Sequence, residues 1–543
     1  MALIAKPAPA SVPYPRQGRS MMAARGAVSS PHELASSAGL DMLRRGGTAV
    51  DAMVATNAAL GVLYPHMTGA GGDAFWIIHD AATGTQHVLN ASGRAGKHAT
   101  RDRYPGDSIN PRGAMAALTV PGAVDGWCQA HERFGKLALE DCLSSAIDYA
   151  RNGFPVSRSL AKFSASSLDL LRSHPTTAAT YLRNGIDPFA AGESMTLPDL
   201  GKTLEAVAAK GRSAFYEGPI AEAIGDFLGR NGGILTPDDF ARHRSDWMDP
   251  IRSRYRNRVV IAPPPNSEGL ATLAILGILE HVDLAALKDD PAGYVDAVTR
   301  ATALAFRDRD RYLDDPVFGE VPVDRLLDPA YLADRAKELD RKWVTPPERL
   351  PASRGDTTFS CAVDAYGNVA GVVQSLYWEW GSGVVAGDTG ILLQNRGSFF
   401  SLDPGNKDRL EPGKRPASTL TNGMLLSDNK PELVFGAMGG EGEPQTQAAV
   451  VTRMVDHGLS VQEAIDAPRW LLGRTWGEQT RGLRLEGRFG PKTAKALESK
   501  GHENVALVGD YDDVMGHAQA IHLLPNRLEA ASDPRCDGAA LGY

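Results

Sequence analysis

Thr357 opens the segment TTFSCAVDAYGNV and is the first candidate nucleophile of this chain. A threonine at the start of a predicted strand is most often structural, because threonine has a high β propensity. Its hydroxyl attacks a carbonyl only when a base lies beside it. An N-terminal threonine carries its own base, since an α-amine has a pKa of about 7.7–8.0. A nucleophile in mid-chain therefore requires cleavage of the Asp356–Thr357 bond, which the same hydroxyl can cause by attacking the preceding carbonyl.

The sequence around this threonine resembles a known family. Residues 357–376 read TTFSCAVDAYGNVAGVVQSL and are similar to the start of the small subunit of gamma-glutamyltransferases and their acylase relatives. The similarity continues in order through SSPHELASSAGLDMLRRGGTAVDAMVATNAALGVLYPHMTGAGGDAF, ALTVPGAVDGW, PGKRPAST, GAMGGEG, AIDAPRW and ASDPRCDGAALGY. One glycine-rich piece alone is weak evidence. Together these colinear matches identify the chain as a member of that superfamily.

The resemblance implies roles for four residues in the reaction. Thr357 matches the nucleophile of both self-cleavage and turnover, and Ser375 falls where relatives have a threonine whose hydroxyl supports it. Gly439 and Gly440 match the two backbone amides that form the oxyanion hole. Glycine suits such a position because the amides must approach the oxyanion without a Cβ in the way. The implied reaction is a two-step acyl transfer that needs no metal and no cofactor.

The predicted substrate site departs from the family pattern. Ser418 and Thr419 fall where the family places hydroxyls that line this site. Phe399, however, stands where gamma-glutamyltransferases have an aspartate that binds the substrate α-amine, and Tyr377 replaces a polar asparagine. A buried ammonium group without an acidic partner is unfavourable. We therefore expect a substrate without an α-amine near the scissile amide.

Two arginines are the predicted ligands for a substrate carboxylate. Arg396 adds positive charge in the segment LLQNRGSFF, and Arg94 lies near the family's carboxylate-binding arginine, though out of register. Guanidinium groups bind carboxylates through strong charge-assisted hydrogen bonds. These motifs are similar to those of the oxamate amidohydrolase branch. The expected substrate is a small, carboxylate-bearing amide, hydrolysed to the acid and ammonia.

Two alternatives stay open on the sequence. The first is a true gamma-glutamyltransferase or glutathione hydrolase, which shares the nucleophile but needs the aspartate that Phe399 replaces. The second is an inactive binding homologue. The presence of all four reaction residues argues against it.

The elements that must position these residues are mostly helices before Thr357 and mostly strands after it. Residues 357–383 alternate and are rich in β-branched and aromatic residues around Tyr366-Gly367-Asn368, which predicts a hairpin. Residues 31–47 and 49–65 predict two helices, the second capped by Thr48, and the segment VQEAIDAPRWLL predicts another. This pattern predicts an α+β fold. The resemblance implies a four-layer αββα sandwich of the N-terminal nucleophile hydrolase type.

The resemblance also implies a division of the chain. Residues 1–25 are proline-rich and predict an extended arm, residues 26–356 correspond to a large subunit, and residues 357–543 correspond to a small subunit. The two subunits of one cleaved precursor are then partners in a heterodimer. Two such heterodimers could also associate into a dimer of heterodimers.

Composition disfavours several other classes of protein. A formal charge of −8 argues against partners that are nucleic acids or anionic membranes, and no window approaches a membrane span. The four cysteines lie far apart without C-x-x-C spacing, which, with an N-terminus unlike a secretory signal, predicts a cytoplasmic protein. The run RDRDRYLDD at 307–315 predicts a charged helical face with intrahelical ion pairs.

Overall fold

Two seven-stranded antiparallel sheets form the centre of the computed structural model, which describes residues 20–339, 356–473 and 482–543. In chain order the strands are β1 Met21–Ala23, β2 Ala27–Ser30, β3 Asp73–Asp80, β4 Thr85–Ala91, β5 Phe154–Pro155, β6 Ser194–Met195, β7 Asp246–Met248, β8 Ile251–Tyr255, β9 Arg258–Ala262, β10 Asp356–Val363, β11 Val369–Tyr377, β12 Asn422–Ser427, β13 Lys430–Ala437, β14 Trp470–Leu472, β15 Leu483–Glu486, β16 Ala506–Val508, β17 Ala518–Leu524, β18 Arg527–Ser532 and β19 Ala539–Gly542. The first sheet has the order β1-β18-β17-β13-β12-β9-β8 and the second has the order β19-β2-β10-β11-β3-β4-β7. Two smaller sheets, β14-β15-β16 and β5-β6, lie apart from them.

Helices flank the sheets. In chain order they are α1 Glu33–Arg44, α2 Ala49–Leu63, α3 Ala123–Phe134, α4 Leu139–Asn152, α5 Arg158–Ser166, α6 Leu168–Arg172, α7 Pro175–Tyr181, α8 Pro198–Lys210, α9 Arg212–Tyr216, α10 Pro219–Arg230, α11 Pro237–Arg242, α12 Gly269–Leu279, α13 Pro291–Tyr312, α14 Val323–Leu326, α15 Pro329–Ala336, α16 Gly442–Val455, α17 Val461–Asp466 and α18 Gly490–Ser499. Helices and antiparallel sheets in this mixture confirm the α+β prediction.

Three apolar cores account for how these elements pack. One is built from side chains of both large sheets, among them Phe75 and Phe359 of the second sheet and Met424 and Val434 of the first. It therefore lies between the sheets, which pack face to face. Successive side chains of a strand point to opposite faces, so each sheet has a second apolar face to cover.

The other two cores cover those outer faces with helices. Trp76 and Val372 of the second sheet pack with α2 residues such as Met53. Phe435 of the first sheet packs with residues of α12, α13 and α16, such as Val298. Helix α2 is buried along its whole length, as expected for a helix that is apolar nearly all round.

Both sheets contain strands from before and from after residue 357, and strands of the two kinds pair directly. In the first sheet β9 pairs with β12, and in the second sheet β10 lies between β2 and β11, while β11 pairs with β3. The fold is therefore not divided in space at the predicted cleavage point.

Local predictions can be compared with this fold. Thr48 caps α2 in a reciprocal capping box with Asp51, and β10 and β11 form the predicted hairpin. The helix predicted over VQEAIDAPRWLL is wrong in its second half. Helix α17 ends at Asp466, and Trp470 begins strand β14, because Pro468 cannot continue the helical hydrogen-bond pattern.

The two ends of the described chain meet at the edge of the second sheet. Strand β19 pairs with β2, and the carbonyl oxygen of Tyr543 accepts hydrogen bonds from the amides of Ala24 at 3.1 Å and Arg25 at 2.9 Å. Within the predicted N-terminal arm, residues 1–19 lie outside the described residues. No helix among the described residues has the length and apolar character needed to cross a membrane.

Candidate active site

The Asp356–Thr357 peptide bond lies at the very start of β10, buried inside the protein. Asp356 is 0% exposed and Thr357 is 2% exposed. Phe359, two residues further on, packs in the core between the sheets. Because side chains alternate along a strand, Thr357 also faces the space between the sheets.

A bulge on the neighbouring strand brings Ser375 to this bond. Asp356 is paired with Tyr377 and Thr358 with Gln374, so two residues of β11 lie opposite Thr357. The Ser375 hydroxyl donates a hydrogen bond to the carbonyl oxygen of Asp356 and accepts one from the amide of Tyr377 at 2.7 Å. The serine predicted to support the nucleophile thus binds the carbonyl that self-cleavage would attack.

The predicted oxyanion-hole glycines lie at the same end of the sheet pair. Phe359 packs against Gly436, where a Cβ would overlap its ring, and Val434 packs against Gly371, the strand partner of Cys361. Strands β10 and β13 therefore cross in opposite directions. The chain leaving β13 after Ala437 runs toward the start of β10, where Thr357 lies.

Both glycines have backbone angles that other residues adopt only with strain. The φ angle is +139° at Gly439 and +56° at Gly440. The amide of Glu443 donates to the carbonyl of Gly440 at 3.0 Å, and the carboxyl group of Glu443 accepts the amide of Thr421 at 3.1 Å. Burial raises the pKa of Glu443 well above its ordinary value. Glu443 therefore holds the turn between β13 and α16 against Thr421.

Arg396 lies next to the cleavage point through Tyr377, the strand partner of Asp356. Its guanidinium lies 4.2 Å above the Tyr377 ring, and its Nη1 donates to the Thr419 hydroxyl at 3.2 Å. The side chain is 1% exposed, yet Nε and Nη2 have no hydrogen-bond partner among the described residues. Burial lowers the pKa of Arg396, while the nearby Tyr377 and Asp73 oppose that shift. A buried guanidinium with two unused donors is suited to bind an anion.

Phe399, Ser418 and Thr419 line one small cavity next to this arginine. Phe399 belongs to the same 3₁₀ turn as Arg396, and its ring packs edge-on to Tyr377 at 6.3 Å. The structure therefore brings together Tyr377, Arg396, Phe399, Ser418 and Thr419, five residues predicted to contact substrate.

Arg94 is placed differently from the other predicted substrate ligands. Its guanidinium donates to Asp246 at 2.7 Å and to the carbonyl oxygen of Arg244 at 3.2 Å, and about a third of its side chain is exposed. Neither Asp246 nor Arg244 lines the cavity. Of the two predicted carboxylate ligands, Arg396 is therefore the one whose surroundings fit the role.

Three charged residues at the cavity were not singled out from the sequence. Glu268 and Arg309 line it, and Arg309 Nη1 donates to Glu268 at 3.0 Å while its Nη2 donates to Glu441 at 2.9 Å. The prediction of intrahelical pairs along residues 307–315 holds for Arg309 and Asp310, but the expected solvated face is wrong here, because Arg309 is buried and also binds Glu268 and Glu441. The position of Glu441, directly after the glycine pair, was the sequence feature that could have indicated a charged group at this site.

Asp73 also lies beside the site, directly opposite Ser375 in the pairing of β3 with β11. Its Oδ1 accepts hydrogen bonds from the amide of Gly93 and from Gln394, both at 2.9 Å. Burial raises the pKa of this carboxyl to about 6, although the charge of Arg396 opposes the shift.

One group elsewhere has residue types that bind metals, namely Asp51, His131 and Cys142. The Asp51 carboxylate already accepts the amides of Thr48 and Lys136, and His131 binds the carbonyl of Leu137 at 2.8 Å. These bonds give the group a structural role at the start of α2.

Comparisons with known proteins agree with the geometry. The gamma-glutamyltranspeptidase family model matches residues 35–543. The glutathione hydrolase-like YwrD proenzyme of Bacillus subtilis is 47% identical over 96% of this chain and 99% of its own length. The oxamate amidohydrolase proenzyme of Klebsiella pneumoniae is 41% identical, again over 96% of this chain and 99% of its own length. Among solved structures, a cephalosporin acylase from Bacillus halodurans superposes with a TM-score of 0.91 at 34% identity, covering 99% of both chains.

Proposed function

The chain belongs to the gamma-glutamyltranspeptidase family, and we propose that it is a self-processing member with an N-terminal threonine nucleophile. Because its relatives are named hydrolases, it is an amide-hydrolysing enzyme. Its proposed substrate is a small amide that carries a carboxylate close to the scissile bond, with oxamate as the first candidate. The observation that carries this proposal is Arg396, buried beside the cleavage point with two unused donors.

Self-cleavage begins with attack of the Thr357 hydroxyl on the carbonyl carbon of Asp356. The hydrogen bond from Ser375 to this carbonyl oxygen supports the step, because it polarises the carbonyl and stabilises the negative charge that develops on the oxygen. The bond between Asp356 and the Thr357 nitrogen then breaks, leaving an ester that water hydrolyses. The products are a large subunit ending at Asp356 and a small subunit, residues 357–543, that begins with a free α-amine.

Turnover reuses the same threonine. Its hydroxyl attacks the substrate carbonyl while its own α-amine takes the proton. The amides of Gly439 and Gly440 stabilise the oxyanion, and removal of one such donor typically raises the barrier by about 2.7–4 kcal/mol. The leaving nitrogen departs with the proton held by the α-amine. Water then attacks the acyl-enzyme and releases the acid.

The substrate class follows from the charges around the cavity. The guanidinium of Arg396 is proposed to bind the substrate carboxylate, and Ser418 and Thr419 provide hydroxyls beside it. Phe399 lines the cavity and stands at the sequence position of the amine-binding aspartate, and Tyr377 packs against Phe399. A small acid amide without an α-amine fits these contacts.

The three apolar cores support the finer fold assignment, a four-layer αββα sandwich of the N-terminal nucleophile hydrolase type. Since both sheets pair strands of the two predicted subunits, the subunits are proposed to stay together as a heterodimer after cleavage. A dimer of heterodimers stays a proposal without a contact to support it.

A second candidate function is glutathione hydrolysis. It is favoured by the name of the Bacillus subtilis relative at 47% identity. Phe399, at the position of the amine-binding aspartate, speaks against it. The inactive-homologue alternative is disfavoured by the contact between Ser375 and the Asp356 carbonyl, which an inactive protein does not need.

The test compares two substrates on the same purified and processed protein. Ammonia release from oxamate is measured beside chromophore release from a gamma-glutamyl anilide. Oxamate turnover without glutamyl turnover is the expected result. Glutamyl turnover alone would establish glutathione hydrolysis instead, and the Thr357→Ala variant, inactive on both, controls for contaminating enzymes.

A further inference from the structure

Glu268 supplies a buried, unused acceptor at the cavity. Its side chain is 1% exposed, and Oε1 has no hydrogen-bond partner among the described residues. The amide of Glu268 donates to the carbonyl of Ser418 at 2.9 Å, which fixes this residue against the cavity wall. A buried carboxylate oxygen without a donor is unfavourable, so a ligand that brings an N–H group to it gains affinity.

The charges around Glu268 favour a nitrogen-bearing group. Arg309 is shared by Glu268 at 3.0 Å, Asp310 at 2.7 Å and Glu441 at 2.9 Å. One guanidinium cannot neutralise three carboxylates, so the cluster carries excess negative charge when all are ionised. Burial raises the pKa of Glu268 to about 8 although Arg309 opposes the shift. A small N–H donor or cation would relieve this imbalance.

Hydrogen-bond donors of Arg396 lie near the same cavity. Thr419 lines the cavity and also accepts the hydrogen bond from Arg396 Nη1. Thr419 therefore links the guanidinium of Arg396 to the cavity that holds the unused acceptor of Glu268, and the charge of Glu268 acts on Arg396. The apolar wall of this cavity includes Leu313, Phe399 and Ala417. A ligand that satisfies both ends carries a carboxylate and an N–H group close together.

We infer that Glu268 forms the leaving-group subsite of the active site and selects unsubstituted amides whose carboxylate is bonded directly to the amide carbon. This inference rests on the proposed function. In the reaction, Thr357 Oγ bonds to the amide carbon and the C–N bond breaks. The nitrogen leaves with its two hydrogens and the proton held by the Thr357 α-amine, as ammonia. Glu268 accepts an N–H hydrogen bond throughout.

This subsite separates two classes of substrate. In oxamate the carboxylate and the amide nitrogen are attached to neighbouring carbons, so one small molecule reaches both Arg396 and Glu268. In a glutamyl amide the α-carboxylate and the α-amine both lie several bonds from the scissile nitrogen. Bound to Arg396 and Glu268, they would leave Glu268 without contact to the leaving group, and the preference for an unsubstituted amide nitrogen would then not depend on Glu268. An alkyl group on the nitrogen would replace an N–H donor and press on the apolar wall.

The experiment measures kcat/KM for oxamate and for N-methyloxamate with the full processed chain. We expect the wild type to prefer oxamate by about tenfold or more, as a missing contact or an extra methyl group commonly costs. Glu268→Met should lower kcat/KM for oxamate by about ten- to a hundredfold and remove most of the preference. Glu432→Gln is the matched control, because it removes a carboxylate from an ion pair with Arg258 on the far part of β13.

A second measurement needs no variant. At constant ionic strength, ammonium chloride should inhibit wild-type oxamate hydrolysis more strongly than methylammonium chloride, and tetramethylammonium chloride should have the least effect. Equal inhibition by the three cations, or a substrate preference that Glu268→Met leaves unchanged, overturns this inference and leaves the proposed function standing. Processed wild type that does not hydrolyse oxamate overturns both.

Discussion

The hydroxyl of Ser375 donates a hydrogen bond to the carbonyl oxygen of Asp356, the carbonyl of the peptide bond that precedes Thr357. The same hydroxyl accepts the amide of Tyr377, so its proton is directed toward the carbonyl. The contact exists because a bulge places an extra residue of β11 opposite the nucleophile. The first two predictions test what this arrangement does.

Replacing the nucleophile should stop both processes. Thr357→Ala removes the only hydroxyl in the proposed mechanism that forms a covalent bond, so the chain should stay uncut and inactive. Denaturing electrophoresis and mass spectrometry follow cleavage, and the wild-type small fragment should begin at Thr357. A Thr357→Ala chain that is cut before residue 357 or still hydrolyses oxamate would contradict the mechanism.

Removing the Ser375 hydroxyl should slow self-cleavage. Ser375→Ala leaves the Asp356 carbonyl without its donor, and loss of one such donor commonly lowers a rate by about 10²–10³. The rate is followed from freshly purified precursor by gel densitometry. Ser375→Thr keeps a hydroxyl and is the matched control, expected to process far faster than the alanine variant. Equal rates for the two variants would remove Ser375 from the mechanism.

Arg396→Met should weaken substrate binding. Hydrogen bonds to a charged group contribute about 1.5–3 kcal/mol, so KM for oxamate should rise by about ten- to a hundredfold. The variant also loses the bond to Thr419 and the positive charge near the buried carboxyl of Asp73, so the melting temperature should fall as well, and KM is measured at a temperature where both proteins are folded.

Arg94→Met is the comparison for that measurement. Arg94 is partly exposed and paired with Asp246, and such pairs contribute about 0–1 kcal/mol. A small change in KM is therefore expected. A larger effect from Arg94→Met than from Arg396→Met would exchange the assignments of the two arginines.

Stability should depend on pH through Glu268. Burial raises the pKa of its carboxyl from 4.5 to about 8, so between these values the folded state binds a proton that the unfolded state has released. Stability from this group therefore falls as pH rises across that window. Relative to Glu268→Gln, the wild type should lose melting temperature between pH 5 and pH 8.5, as measured by differential scanning fluorimetry. A constant difference across that range would mean that the carboxyl titrates normally.

Local structure was predictable where neighbouring residues determine it. The capping of α2 by Thr48 depends on Asp51 three residues later, and the β10–β11 hairpin depends on its turn at Gly367, which has a φ of +90°. The family resemblance gave Ser375 and Phe399, which the fold brings to the cleavage point and the cavity.

The charged part of the site was not predictable in the same way. Arg309 has charged neighbours in its own helix, and that pattern alone indicates a solvated face. It does pair with Asp310 in that helix, but two further partners, Glu268 and Glu441, lie 41 and 132 residues away in the chain. Periodicity identifies which residues share a face of a helix but not which distant segment meets that face.

The meeting of the chain ends at the sheet edge suggests a way to redesign the protein. Since the carbonyl of Tyr543 binds the amides of Ala24 and Arg25, a short linker could join Tyr543 to the start of β1 in a circular permutant that leaves out residues 1–19. The new chain could open at Thr357, with an initiator methionine for cellular aminopeptidase to remove. Its nucleophile would then carry a free amine from synthesis, so maturation would no longer depend on the chain cutting itself.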